Sequence, residues 1–152
     1  MSSLKHLADF GQSIWLDYIR RDLITSGEFQ RLVEDDGVHG VTSNPTIFDK
    51  AILEGTDYDD PLRSLLAADP DSDALTLFEK LEIEDLQMVA DILRPVYDHT
   101  KGADGFVSIE VSPRLAYDTA GSIAEARRLW KAVKPAQPDG EDPLYRAGCS
   151  GG

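Results

Sequence analysis

Short apolar runs that alternate with amphipathic helical segments constrain the fold of this chain more than any other feature of its sequence. The first run, residues 13–19, is rich in β-branched and aromatic residues, as expected of a buried strand. Further strands are predicted at residues 38–43 and 106–111. Because helical segments separate the strands, they should run parallel and be joined by right-handed crossovers. The sequence therefore predicts an α/β fold.

The helical segments begin at recognisable capping residues. Ser26 and Gln30 stand close to capping-box spacing and predict a short helix. Asn44 and Pro45 suit the cap and the first turn of the next helix. Two longer helices follow from the apolar periodicity, at residues 73–99, with a break near residues 82–85, and at residues 122–133.

The charge of the chain excludes one class of partner. With 15 basic and 28 acidic residues, the net charge is −13, which would repel a nucleic-acid backbone. The acidic residues are spread along the chain, so we expect them on a solvated surface, with Glu82, Glu84 and Asp85 among them. No apolar run is long enough to span a membrane, and the start lacks the pattern of a signal peptide. We therefore expect no membrane association and a cytoplasmic location.

Each predicted strand ends beside polar side chains. Asp17 lies in the first run, Thr42, Ser43 and Asn44 end the second, and Glu110 ends the third. In a parallel α/β barrel the carboxyl ends of the strands form one face, where catalytic groups gather. Two acids and an amide would therefore converge. Helix caps and loop hydrogen bonds are an alternative explanation of the same spacing.

The other side chains that could bind a metal, form a disulfide or contact a cofactor lie far apart in the sequence. The histidines have no partners at metal-ligand spacing, so we expect surface or packing roles for them and no metal site. They are His6, His39 and His99. The lone Cys149 cannot form an internal disulfide. Trp15 and Trp130 lie on apolar faces, and we expect both in the core.

A specific motif covers the end of the second strand, where residues 40–48 read GVTSNPTIF. This run resembles the signature of transaldolases almost letter for letter. The flanks agree, since residues 11–17 read GQSIWLD and residues 107–111 read VSIEV, similar to the first and third strands of that family. The resemblance covers about residues 4–133 and is to bacterial transaldolases, including those fused to glucose-6-phosphate isomerase. It implies a partial (β/α)8 TIM barrel, of which this chain supplies the first three βα units.

The resemblance also implies a role for each candidate residue. In the family, a lysine on the fourth strand forms a Schiff base with the ketone of a sugar phosphate and acts as an electron sink for carbon–carbon cleavage. Asp17 matches the acid that moves the proton of the substrate hydroxyl. Glu110 matches the acid that acts through a water while the imine forms and hydrolyses. Asn44 matches a ligand of a substrate hydroxyl, with Thr42 as its support, although a strand end explains Thr42 equally well.

The family reaction moves a dihydroxyacetone unit from sedoheptulose 7-phosphate to glyceraldehyde 3-phosphate. It belongs to the pentose phosphate pathway and needs neither cofactor nor metal. The resemblance thus implies an enzyme with sugar-phosphate substrates.

The segment 134–152 departs from the family, because it reads KPAQPDGEDPLYRAGCSGG where a motif such as Asn-Leu-Met-Val-Lys-Ile-Pro is expected. It has no apolar period, so we expect an irregular or disordered tail. Residues 137–143 can be back-translated so that the neighbouring reading frame encodes the family motif. The fixed bases of Glu141 and Asp142 restrict one shifted codon to lysine or arginine. We therefore hypothesise a one-base insertion or two-base deletion near Lys134, with residues 1–133 as the amino-terminal part of a barrel.

Loss of the motif predicts loss of activity, because no remaining lysine lies on a fourth strand. Three strands of eight would also leave open sheet edges, which predicts poor solubility. Two alternatives stay open: a non-catalytic interaction module or pseudoenzyme, and a different Schiff-base sugar-phosphate aldolase. The long helical segment between the second and third strands, together with the Asn44 motif, favours the transaldolase.

Overall fold

The computed structural model describes residues 3–133 and 145–148. Four parallel strands form one sheet in the order β1-β2-β3-β4. The strands are β1 (Ile14–Leu16), β2 (Val38–Thr42), β3 (Phe106–Glu110) and β4 (Tyr145–Gly148). The helices are α1 (Arg21–Thr25), α2 (Glu28–Arg31), α3 (Pro45–Glu54), α4 (Asp59–Ala68), α5 (Ala74–His99) and α6 (Thr119–Val133). Ser3–Phe10 and Pro113–Leu115 form 3-10 helices, and Leu32–Asp36 forms a π-helical turn.

The predicted α/β fold is confirmed, and so is the parallel direction of its strands. Consecutive strands lie side by side, which is the arrangement of the first part of a (β/α)8 barrel. The register pairs Trp15 with Gly40 and Thr42 with Ser108. Because paired residues of parallel strands share a face, this register decides which side chains meet at the carboxyl edge.

One face of the sheet packs on the helices and contains the core. Val41, Val107 and Ile109 are buried there. They belong to the same cluster as the apolar stripe of α5, which consists of Leu81, Leu86, Val89, Ala90 and Leu93. The alternating residues Thr42 and Ser108 are less buried, as expected for the opposite face of a sheet whose helices lie on one side.

Several predictions about local structure are wrong. Ser26 and Gln30 form no capping box, because Gly27 takes a left-handed conformation (φ 80°) and starts a new helix. No break occurs near residues 82–85, since α5 runs without interruption from Ala74 to His99. The helix α4 was not predicted, because its apolar stripe is short. The cap predicted at Asn44 with Pro45 in the first turn is confirmed.

The predicted irregular tail needs one correction. Tyr145–Gly148 form β4, which pairs with β3 in parallel register from Val107 to Glu110. The open edge of β3 offers unpaired backbone groups, and these accept a strand from a segment that lacks an apolar pattern. The rest of residues 134–152, including Lys134 and Cys149, lies outside the described residues.

Trp15 is not a core residue, in contrast to the prediction. It is 37% exposed, and its indole lies against Gly40, where an added Cβ would come within 2.3 Å of the ring. Trp130 is partly buried and packs against the core cluster, as predicted. Within the described residues, no helix is both long enough and apolar enough to cross a membrane.

Candidate functional site

Asp17 and Thr42 meet at the carboxyl edge of the sheet. Asp17 directly follows β1, and Thr42 is the last residue of β2. The Thr42 hydroxyl donates a hydrogen bond to Asp17 Oδ1 at 2.7 Å. Two of the four predicted site residues are therefore in direct contact, and the bond restrains one oxygen of the Asp17 carboxylate.

Asn44 lies two residues beyond Thr42 and caps α3. Its side-chain oxygen accepts hydrogen bonds from the backbone amides of Thr46 at 3.0 Å and Ile47 at 3.3 Å. Pro45 has no amide hydrogen and follows the cap, which suits the first turn of a helix. The side-chain oxygen of Asn44 is thus used in capping α3. The NH2 group at Nδ2 is the part of Asn44 that would contact a ligand.

Glu110 ends β3 at the same edge of the sheet. Thr42 pairs with Ser108, and Glu110 lies two residues beyond Ser108 as Asn44 lies two residues beyond Thr42. The Glu110 side chain is exposed, and within the described residues it makes no hydrogen bond to Asp17, Thr42 or Asn44. The structure therefore brings the acids to one edge without joining them.

A buried carboxyl group lies behind this edge. Ser43 is fully buried, and its hydroxyl donates to Glu82 Oε1 of α5. Glu82 is only 6% exposed, so the prediction that it lies on a solvated surface is wrong. Burial raises the pKa of Glu82 to about 7; the Ser43 hydrogen bond opposes this rise, and the charges of Glu79 and Glu110 add to it.

A second buried carboxyl group, Asp85, ties the segment after β1 to α5. Arg21 donates to Asp85 through Nε, and Tyr58 donates through its hydroxyl at 2.7 Å. The backbone amide of Arg21 in turn donates to the Tyr58 hydroxyl at 2.9 Å. Asp85 is fully buried, which corrects the prediction of a surface position. Burial raises the pKa of Asp85 to about 6, although both donors oppose that shift.

The spacing of these two acids along the chain is itself a signal of burial. Asp85 stands four residues from both Leu81 and Val89, and Glu82 stands four residues before Leu86. Residues at that spacing share a helix face, so both acids belong to the apolar stripe of α5. An acid within an apolar stripe indicates a buried and partnered carboxylate.

The histidines His6 and His39 show the expected surface and packing roles. His39 Nδ1 lies 3.0 Å from Asp104 Oδ2, and His6 Nδ1 lies 3.6 Å from Asp9 Oδ2. Among residues 3–133 and 145–148, no group of three or more potential ligands could hold a metal ion.

Replacing Asn44 should separate its capping role from any role in binding. Asn44→Ala removes the acceptor of two amide hydrogens and should cost about 1 kcal/mol of stability, whereas Asn44→Asp keeps the acceptor and should cost much less. Urea denaturation of both variants measures the difference. Asp73→Ala is the matched control, because Asp73 caps α5 by accepting a hydrogen bond from the Thr76 amide at 2.8 Å. Equal stability of Asn44→Ala and the parent chain would contradict the cap.

Stability should fall as the pH rises through neutrality because of Glu82. Its pKa is raised from 4.5 to about 7 in the folded chain, so the folded state holds this proton where the unfolded state has lost it. The associated stability is complete below pH 4.5 and is lost as the pH passes 7, a change on the order of 3 kcal/mol. Urea denaturation at several pH values from 4 to 8 measures this change in the free energy of unfolding. In Glu82→Gln the free energy of unfolding should change less over the same pH range. Identical pH profiles for the two proteins would refute the assignment.

Comparison with known proteins bears on this edge of the sheet. Residues 14–140 match the Transaldolase/Fructose-6-phosphate aldolase family. The matched region contains the four strand-end residues Asp17, Thr42, Asn44 and Glu110.

Individual relatives are similar over most of the chain. A transaldolase of Thermobifida fusca is 48% identical over 133 residues, which cover 87% of this chain and 35% of that protein. A transaldolase of Saccharopolyspora erythraea is 48% identical over 132 residues, covering 87% and 35%. A transaldolase of Thiobacillus denitrificans is 41% identical over 150 residues, covering 93% and 41%. The chain therefore spans well under half the length of these relatives.

Proposed function

This chain belongs to the Transaldolase/Fructose-6-phosphate aldolase family, and from that premise we propose that it carries the acid and amide groups of a sugar-phosphate transaldolase site. The reaction transfers a dihydroxyacetone unit between sugar phosphates through a Schiff base. We place this role in the pentose phosphate pathway of the cytoplasm on the strength of the family alone. The relatives from Thermobifida, Saccharopolyspora and Thiobacillus are all named transaldolase, which favours this reaction over that of another Schiff-base aldolase.

The proposal assigns one task to each strand-end residue. Asp17 moves the proton of the substrate hydroxyl when the carbon–carbon bond breaks. Glu110 passes protons through a water while the imine forms and hydrolyses. The Asn44 amide group holds a substrate hydroxyl, and Thr42 supports the site through its bond to Asp17.

The hydrogen bond from Thr42 to Asp17 carries the proposal. It joins side chains from two neighbouring strands at the edge where the catalytic groups of (β/α)8 barrels gather. A general base must be held in one orientation to take a proton efficiently, and a donor on Oδ1 supplies that restraint. The bond leaves Oδ2 of the same carboxylate for the substrate.

We further propose that the chain as written is inactive, because it presents no suitable amine. None of the lysines in the described part of the chain lies on a strand. They are Lys5, Lys50, Lys80, Lys101 and Lys131. Lysines in water are mostly protonated at neutral pH and are therefore poor nucleophiles. The frameshift hypothesis for residues 134–152 explains the loss, and independent nucleotide reads that exclude a shifted lysine codon would refute that explanation.

A chimeric enzyme tests the roles of the acids separately from the missing amine. Residues 1–133 of this chain replace the matching segment of the Thermobifida fusca transaldolase, and transaldolase activity is measured. We expect an active chimera in which Asp17→Asn or Glu110→Gln lowers kcat by about 10²- to 10⁴-fold. Asp9→Asn is the matched control, since Asp9 is exposed in the 3-10 helix that precedes β1 and should leave kcat unchanged. A folded chimera whose kcat is insensitive to both acid substitutions would contradict the proposal.

A further inference from the structure

The segment from Thr42 to Asn44 is held from both faces of the sheet. On one face, Thr42 bonds to Asp17 at 2.7 Å. On the other face, the Ser43 hydroxyl donates to Glu82 of α5. Successive residues of an extended strand point to opposite faces. The Thr42 side chain therefore faces Asp17, and the next side chain, Ser43, faces α5.

A backbone hydrogen bond holds the same segment from the side. The Ser43 amide donates to the carbonyl oxygen of Ser108 at 2.9 Å, one step beyond the last residue of β2. This bond and the contact to Glu82 both hold Ser43, which lies between the end of β2 and the Asn44 cap of α3. The two contacts at Ser43 therefore fix the point from which Asn44 starts α3.

Glu82 occupies a position where an apolar side chain would be expected. It lies on the buried stripe of α5, and a carboxyl group loses hydration there. Buried ion pairs can often be replaced by well-packed apolar residues without loss of stability, and burying a carboxyl group has a cost that packing does not explain. What Glu82 provides that leucine cannot is an acceptor aimed at Ser43.

We propose that Glu82 is a positioning residue of the candidate site, which acts through Ser43 to fix the backbone that presents Thr42 and Asn44. This role deepens the proposed function and rests on it for its catalytic meaning. Glu82 does not touch the substrate. Its effect is to hold the backbone so that the Asn44 side chain and the Thr42 hydroxyl stay in position beside Asp17.

Amide hydrogen exchange in the full 152-residue chain tests the proposal without any assay of activity. The reporters are the Ser43 amide, which bonds to Ser108, and the Thr46 amide, which bonds to Asn44 Oδ1. Their exchange rates are divided by that of the Val89 amide in the middle of α5, so that a uniform loss of stability cancels. All variants are compared at one pH by NMR.

We expect Glu82→Leu to raise both normalised rates by roughly 10- to 100-fold, the factor that corresponds to leaving the buried Ser43 hydroxyl without its acceptor. Glu82→Gln keeps a carbonyl oxygen for Ser43 and should restore both rates to within about threefold of the parent chain. Ser43→Ala removes the donor and should reproduce the effect of Glu82→Leu. Leu93→Ala is the control, because it removes a fully buried side chain of α5 about 16 Å along the helix and should leave the ratios unchanged.

Several results would overturn the proposal. One is a Glu82→Leu chain with unchanged ratios, and another is a Leu93→Ala chain with equally raised ratios. Unfolding of both Glu82→Leu and Ser43→Ala would also overturn it, because the contact would then support the whole fold and not this segment. So would a parent chain without dispersed amide resonances.

A titration with fructose 6-phosphate is a separate experiment that tests the proposed function. If the NMR resonances of Asn44 do not shift, that result counts against the proposed function and leaves the exchange result standing.

Discussion

Incubated with fructose 6-phosphate and sodium borohydride, this chain is expected to gain no mass. Borohydride reduces an imine to a stable amine, so a covalent adduct requires a lysine that attacks the ketone. The lysines of the described residues lie off the strands, in helices or turns, and so away from the carboxyl edge where Asp17 and Thr42 meet. The reacting geometry that a barrel provides is also absent for them, and orientation alone is worth many orders of magnitude in rate.

Intact mass spectrometry measures this outcome directly. The Thermobifida fusca transaldolase, treated in parallel, is the positive control and should be labelled at one lysine. An adduct on this chain that requires an intact Asp17–Thr42 pair would overturn the proposal that it is inactive. Non-specific labelling is recognised because it would persist in Asp17→Asn.

Arg21→Met should destabilise the fold strongly, by about 3–5 kcal/mol. Arg21 and Asp85 form a buried ion pair in which the side chains are 10% and 0% exposed. Removing the guanidinium leaves the Asp85 carboxylate buried beside Tyr58 alone, and an uncompensated buried charge is costly. Urea denaturation measures the loss.

The neighbouring Arg20 is a matched control for this prediction. Arg20 pairs with Asp57 at 2.9 Å, but the two side chains are 30% and 26% exposed. Solvent weakens such a pair, so Arg20→Met should cost no more than about 1 kcal/mol. Equal losses for Arg20→Met and Arg21→Met would refute the assignment of the stability to burial.

A double substitution distinguishes the lost pair from the stranded charge. Arg21→Met combined with Asp85→Leu removes both charges from the interior, and much of the stability should return. If the double variant were as unstable as the sum of both single variants, the cost would come from packing and not from the unpaired carboxylate.

The sequence determined the order of elements and the place of the candidate site. Apolar runs separated by helical periods require parallel strands, and parallel strands bring their carboxyl ends to one edge. Asp17, Asn44 and Glu110 could therefore be placed at that edge from their positions at strand ends. The Asn44-Pro45 cap was also predictable, because it depends on a local backbone preference that needs no tertiary contact.

Tertiary structure decided which polar groups pair with one another. Glu82 and Asp85 recur at the spacing of the buried apolar residues of α5, and both are buried. Acidic residues are nevertheless expected at the surface unless a buried partner is known. The partners, Ser43 and Arg21, come from segments 39 and 64 residues away. The sequence could not supply those pairings, because they form only when crossover helices pack against the sheet. Burial of a carboxylate depends on such distant donors, whereas the order of strands depends on local periodicity.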